Sequence, residues 1–406
     1  MNPYLRTIIH RLERDWQKLS PTVIRLGSSV AAAFVPIALL AGGYSEGMER
    51  ELLRVWFPLR GARPVPQSVT IVRIDKPAYD KVGLSPGELF PREHLANAIE
   101  RIAAGGAKLI IVDGIPQRPG NNPKNDERFA EVLRNTPTVI GRGTETVVDS
   151  DLSGKKRETS VQHQPIELFA KSAKAVIETE VPLTRGRVEQ IALGNGTFVV
   201  SGENVPLLLP LRTFVRPDLV EPRGGDFINY YGPPSTLPSI SLAQLVGDAP
   251  TAKSEYFWDR VVFIGAQSAT GTGAEAGKDS FLTPVSNEWM FGVEIHATIA
   301  ANLLDATWLR RLPLLQEGLL LSLVSFVVSL TVLSLRTSAG AGVAILAAGA
   351  WFTASYVAFS RMFYFLPAFV LLLVLIAVVV GRWAAVATLA GRSSKLAAPA
   401  KDQAPK

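Results

Sequence analysis

Val69-Thr-Ile-Val-Arg-Ile-Asp75 is a short run, rich in β-branched side chains, that ends on a carboxylate. Such side chains fit a pleated surface, and the lack of strict polar alternation predicts a strand buried on both faces. Downstream, Pro91-Arg92-Glu93 opens a helix through about Ala104, because proline is at home where a helix has an unpaired N–H anyway. Gly105-Gly106 stops it, and Lys108–Asp113 reads as a second buried strand that again ends on aspartate. Asp126–Arg134 reads as a helix and Thr138–Arg142 as a third strand. This β-α-β-α-β rhythm predicts a mainly parallel sheet with helices on both faces. Further along, strands are expected at Ala175–Glu180, Phe198–Val200, Phe227–Tyr231 and Arg260–Ala266. Helices are expected near Ser241–Val246 and from about Val293 to Leu304, with an exposed loop over Asp149–Gln164.

Four apolar segments flank this region: Leu26–Tyr44 before it, and Leu314–Leu335, Ala339–Ser360 and Phe363–Gly381 after it. Each has about the 20 residues that a bilayer core requires. The expected organisation is therefore a cytoplasmic basic segment (1–25), a first span (26–44), an extracytoplasmic α/β domain (45–313), three spans (314–335, 339–360, 363–381) and a cytoplasmic tail (382–406) expected to be disordered. The first span is favoured as an uncleaved anchor, since its basic leader is long and no A-x-A site precedes Tyr44. Before it, Leu5, Ile8, Ile9, Leu12, Trp16 and Leu19 recur at helical spacing among basic residues, as in a membrane-surface anchor. After it, Met48, Leu52, Val55, Trp56 and Leu59 form another stripe, expected to continue the span as a stalk until Pro58 and Gly61 break it. Gly340, Ala344 and Ala348 form a small-xxx-small stripe suited to close helix packing.

The net charge of +6 is concentrated at the ends. Residues 1–25 hold five basic and two acidic side chains, residues 382–406 five and one, and Arg336 adds another, so the remainder is net negative. That distribution suits a negative inner leaflet and argues against nucleic acid as a partner. The absence of cysteine excludes disulfides and thiolate metal sites. The four histidines are scattered, which predicts no histidine-rich metal site.

In open parallel sheets, ligands sit beyond the carboxyl ends of strands. Asp75 and Asp113 stand there and are the candidate ligand-binding pair, expected on neighbouring strands. Capping a helix is the competing role for an aspartate in that position. The glycine-rich stretch Gly265–Gly277 is not a Walker A loop: Thr272 stands where the first glycine belongs, and Asp279 replaces the magnesium-binding hydroxyl. Ser268 lacks a nucleophile-elbow frame. Glu294 and His296, two apart at a helix start, are not a zinc pair, and His296 reads as a half-buried structural histidine. No catalytic residue and no cofactor is expected.

The order of motifs resembles the type 2 CHASE (cyclase/histidine-kinase-associated sensory extracellular) domain family. The segments are Val69–Asp75, Phe90-Pro-Arg-Glu-His94, Ile110-Ile-Val-Asp-Gly114 with Asp126 downstream, Phe227-Ile-Asn-Tyr-Tyr-Gly232, Val261-Val-Phe-Ile-Gly-Ala266, Asp279-Ser-Phe-Leu-Thr-Pro284 and Gly292-Val-Glu-Ile-His-Ala297. One span before the sensor and three after it agree with that family. The resemblance implies a multi-pass protein of a bacterial inner membrane, its large domain outside and both termini cytoplasmic. It adds Asp126 and Asn229 to the candidate ligand-binding residues. The usual C-terminal kinase or cyclase is not in this sequence, so the expected activity is sensing an unknown small ligand or protein outside and signalling in trans. The partner would be a cytoplasmic kinase or cyclase. The alternative is a structural subunit of a membrane complex that reuses the sensor fold as a scaffold among other subunits.

Overall fold

A computed structural model describes residues 20–86, 88–150, 156–179, 181, 186–189, 207–224, 226–247, 250–267 and 279–396. The first 19 residues, the strand expected at Phe198–Val200 and most of the glycine-rich stretch lie outside the described residues. Two units pack separately: one holds the chain up to Leu52 and from Leu312, the other Leu53–Arg311.

The second unit is mixed α/β. Its strands are β1 (Val69–Ile74), β2 (Leu109–Asp113), β3 (Thr138–Ser150), β4 (Lys156–His163), β5 (Ala175–Glu178), β6 (Ser239–Ser241) and β7 (Val261–Ala266). The parallel part runs in the order β5-β3-β2-β7-β1-β6. β4 pairs antiparallel with the outer half of β3, Gly143 opposite His163 and Ser150 opposite Lys156. The stretch expected as an exposed loop at 149–164 is therefore largely ribbon; its polar side chains hid a strand that needs no buried face to pair.

Burial on both faces explains the apolar strands. On one face Val72, Ile110, Val112, Ile140, Val262 and Ile264 pack against two helices, Arg92–Ala104 and Pro123–Asn135. Leu95, Ile99 and Ile102 form the inward stripe of the first of these, which ends at Gly105 and at Gly106, whose φ of +82° only glycine adopts freely. The expected helix near Ser241–Val246 is only a 3₁₀ turn, Leu242–Gln244. Phe227 makes a single bridge to Leu309 rather than a strand.

The helix Gly292–Asp305 packs on the opposite face against β1 and β7, and each of its residues from Gly292 to Leu304 is buried. A Cβ at Gly265 of β7 would lie 2.6 Å from Val293 Cγ2 and 3.3 Å from Asp113 Cβ. Glycine there lets this helix reach the sheet.

Among the described residues of the first unit, four helices are long and apolar enough to cross a membrane: Pro21–Ala41, Leu314–Ser334, Thr337–Met362 and Phe369–Thr388. Ser29, Ala32, Pro36 and Leu40 are the buried face of the first, and Gly318, Leu321, Ser325 and Ser329 lie on that of the second. Small residues at this spacing allow backbones to approach. Gly340 meets the Val332 carbonyl and Ala348 packs against the cluster of Leu321, Leu371 and Leu375, while Ala344 lines an apolar cavity beside Leu372.

Three boundaries differ from expectation. The stalk is not a continuation of the first span: Gly42–Ser45 breaks the chain, with Gly43 at φ +65°, and a separate helix runs Glu46–Arg60. Pro58 sits inside that helix, which stops at Gly61. The last span begins at Phe369, after a turn in which Phe363 has φ +58°, and its helix runs on to Leu396, so residues 382–396 are helical rather than disordered.

Gly265→Ala is expected to lower the stability of the α/β unit by about 1–3 kcal/mol through overpacking. Adding Val293→Ala should recover part of the loss; thermal denaturation of the single and double variants checks this.

Candidate functional site

The four candidate residues occupy four separate places. β7 lies between β1 and β2, so the ends carrying Asp75 and Asp113 are two strand spacings apart, roughly 10 Å, and not neighbours. Chain order placed the two strands in succession, but β7, far downstream, pairs with both of them.

Asp75 is the N-cap of the short helix Lys76–Lys81. Its Oδ1 accepts from Ala78 N–H at 3.2 Å and from Ser241 Oγ at 2.5 Å, and Oδ2 lies 3.8 Å from Arg73. Asp126 sits in the first turn of Pro123–Asn135, where Oδ2 accepts from Gly120 N–H at 2.8 Å and Oδ1 lies 3.9 Å from Arg92 Nε. The Arg92 guanidinium rests on the rings of Phe129 and Phe169. Both carboxylates tie a loop to a helix start.

Asn229 is a knot of backbone and side chain. Its Oδ1 accepts from Arg60 Nη1 at 2.6 Å, its Nδ2 donates to Thr307 O at 2.6 Å, and its backbone N–H donates to Asn302 Oδ1 at 2.8 Å. Asn302 Nδ2 and Arg63 Nη1 in turn donate to its carbonyl. It joins the end of the helix Glu46–Arg60 to the helix Gly292–Asp305.

Asp113 is different. It closes β2, and its buried Oδ2 has no hydrogen-bond partner among the described residues. Desolvation pushes its carboxyl well above the usual range. Asp279 stands beside it, and besides burial the Asp113 charge raises its carboxyl in turn. Asp279 is exposed overall, so the upward shift is firmer at the more enclosed Asp113. Gly292 makes this approach feasible, because any Cβ there would collide with Asp279 Oδ1.

His296, one turn into the buried helix, completes the cluster. Its Nε2 lies 3.0 Å from the Thr179 carbonyl, which only accepts, so Nε2 carries the hydrogen and Nδ1 keeps its lone pair. Burial disfavours the imidazolium, while Asp279 favours it. Asp279 thus interacts with Asp113 on one hand and with a neutral imidazole at His296 on the other, beyond the carboxyl ends of β2 and β7. Gln267 Oε1, just past β7, is a further buried acceptor without a hydrogen-bond partner among the described residues. The arrangement is rich in acceptors and suits a ligand that brings hydrogen-bond donors or positive charge. Among the described residues no group of three or more acidic, histidine or cysteine side chains is placed to hold a metal ion.

The sequence singled out Asp113 by its strand-end position and not Asp279 or His296. Asp279 registered only as the residue that spoils a phosphate loop, and His296 only as structural. Asp279 opens the segment Asp279–Pro284 and His296 lies within Gly292–Ala297, both part of the family-like pattern, which was the available signal.

Asp75→Ala is expected to cost about 1–2 kcal/mol, as for loss of a helix cap. Asp113 behaves oppositely. Its carboxyl is raised in the folded state to about 7, so its contribution to stability is intact below the unfolded value near 4 and is lost as pH rises through 7. Asp113→Asn should therefore raise the melting temperature at pH 8 and leave it nearly unchanged at pH 4; melting curves across that range check the sign.

The model of the CHASE2 domain family matches residues 30–332, spanning the whole α/β unit, the first candidate span from residue 30 and almost all of the second. No curated protein and no solved structure matches the chain. A match over that length, running through the parallel sheet, the Asp113 cluster and the buried helix, shows that the chain belongs to the CHASE2 family of extracellular sensory domains.

Proposed function

We propose that this chain is a membrane-anchored sensor subunit whose α/β unit lies outside a bacterial inner membrane, with both termini in the cytoplasm. The family match through the α/β unit carries this reading. Four candidate spans return the chain to the side where it began, and the basic excess of both tails favours the cytoplasmic side. The stimulus is a ligand or partner that supplies donors or positive charge to Asp113, Asp279 and His296. Asp75, Asp126 and Asn229 hold the frame around that cluster. The output is a change in a separate cytoplasmic protein, a kinase or cyclase, recognised through the tails and the membrane helices. Such a change requires two states that bind the stimulus differently.

The natural chain has no cysteine, so a single introduced thiol reports sidedness. Lys253→Cys, on the exposed surface of the α/β unit, should react with a membrane-impermeant maleimide in intact spheroplasts; reaction only after lysis would reverse the orientation. Gentle extraction of tagged protein from native membranes, followed by mass spectrometry, tests the output. A kinase or cyclase at low occupancy, changed by Asp113→Asn, is the expected outcome. A fixed-ratio set of membrane subunits unaffected by that substitution would make the chain a scaffold.

A further inference from the structure

Glu49 is a fully buried carboxylate, 1 % exposed, on the helix Glu46–Arg60 just after the first span. Its Oε2 accepts from the Ala368 N–H at 2.8 Å and its Oε1 from the Val370 N–H at 2.9 Å, more than 300 positions along the chain. These amides belong to the start of the last membrane helix, Phe369–Leu396, where the first N–H groups have no partner within the helix. The carboxylate is thus an N-cap supplied by another helix, in the place where the helix dipole favours a negative charge. Opposing this is a second buried acid: Glu317, in the first turn of Leu314–Ser334 and also 1 % exposed, raises the Glu49 carboxyl.

The charged surroundings are few. Glu317 is the sole charged residue of Leu314–Ser334, and Arg25, near its start, that of Pro21–Ala41. Thr337–Val357 has none, the turn before the last helix carries Arg361 and Tyr364, and the last helix carries no charge before Arg382. On Glu49's own helix Arg50 pairs with Glu46 at 3.0 Å, and Glu51 and Arg54 follow.

We propose that Glu49 is a proton-operated latch that clasps the post-span helix to the first turn of the last membrane helix. The clasp stands on the two hydrogen bonds, the complete burial and the opposing Glu317. Burial outweighs the three backbone N–H groups, and the carboxyl is raised from 4.5 to about 7. The sign follows from linkage: the closed clasp binds its proton more tightly than a solvated glutamate does. Closure is therefore strongest below pH 4.5 and weakens as pH rises towards 7, beyond which it levels off. A proton change on the side of the membrane where Glu49 lies would then alter the freedom of the last span. This device is independent of the Asp113 cluster.

Amide hydrogen exchange on the full chain in lipid nanodiscs tests it, read at Ala368–Val370 and corrected for the intrinsic pH dependence of exchange. The opening equilibrium is expected to rise by up to about tenfold per pH unit between pH 5 and 7 and to flatten above. Glu49→Gln, which keeps an acceptor but cannot ionise, should abolish the slope, and Glu317→Gln should shift it to lower pH. A flat corrected profile in the natural chain would overturn the proposal without any variant. So would an undiminished slope in Glu49→Gln. The amides of Gly292–Asp305 serve as the control, and Asp113→Asn should leave the slope at Ala368–Val370 in place.

Discussion

A helix buried on every side cannot leave a polar group to solvent, and the α/β unit is arranged around one. Gly292–Asp305 carries Glu294, His296, Thr298 and Asn302 into the interior, and each must find its partner there. Glu294 accepts from the N–H groups of Ser235 and Thr236 at 2.9 and 3.1 Å. His296 meets Thr179, Thr298 bonds back to the Glu294 carbonyl, and Asn302 exchanges hydrogen bonds with Asn229. Because an unmet bond in that setting costs about 1–3 kcal/mol, Glu294, His296 and Asn302 fix loops from distant parts of the chain around one helix.

The same helix reaches both ends of the unit. Its first turn lies against Gly265 and Asp279, where the enclosed carboxylate of Asp113 stands beside that of Asp279. Its last turn is held through Asn302 to Asn229, and from there to Arg60 at the close of the helix Glu46–Arg60.

The membrane unit follows the opposite rule. Its helices bury few charges, and their contacts are made by small residues that let backbones approach. Gly340 lies against the Val332 carbonyl, and Arg382 donates to the carbonyls of Val332 and Leu335 at the end of the second span. Glu49 performs the mirror task at the start of the last span. Both side chains satisfy helix termini that bulk water would otherwise solvate.

The main strands, the parallel sheet and the four apolar spans were legible in the sequence, because apolar periodicity and length follow directly from backbone geometry, whereas the ribbon of Lys156–His163 and the 3₁₀ turn Leu242–Gln244 were not. Motif order along the chain also sufficed to identify the family. It made Asp113 a candidate through its strand-end position, and the same logic promoted Asp75, whose carboxylate is used up in capping. Their different surroundings are visible only in the tertiary structure. The insertion of β7 between β1 and β2 separates the two acids, and it brings Asp279 and His296 to Asp113 from residues more than 150 positions away. The role of Glu49 was hidden for the same reason. Its partners are backbone amides, which carry no side-chain signature, and only packing reveals which helix terminus a distant carboxylate will reach.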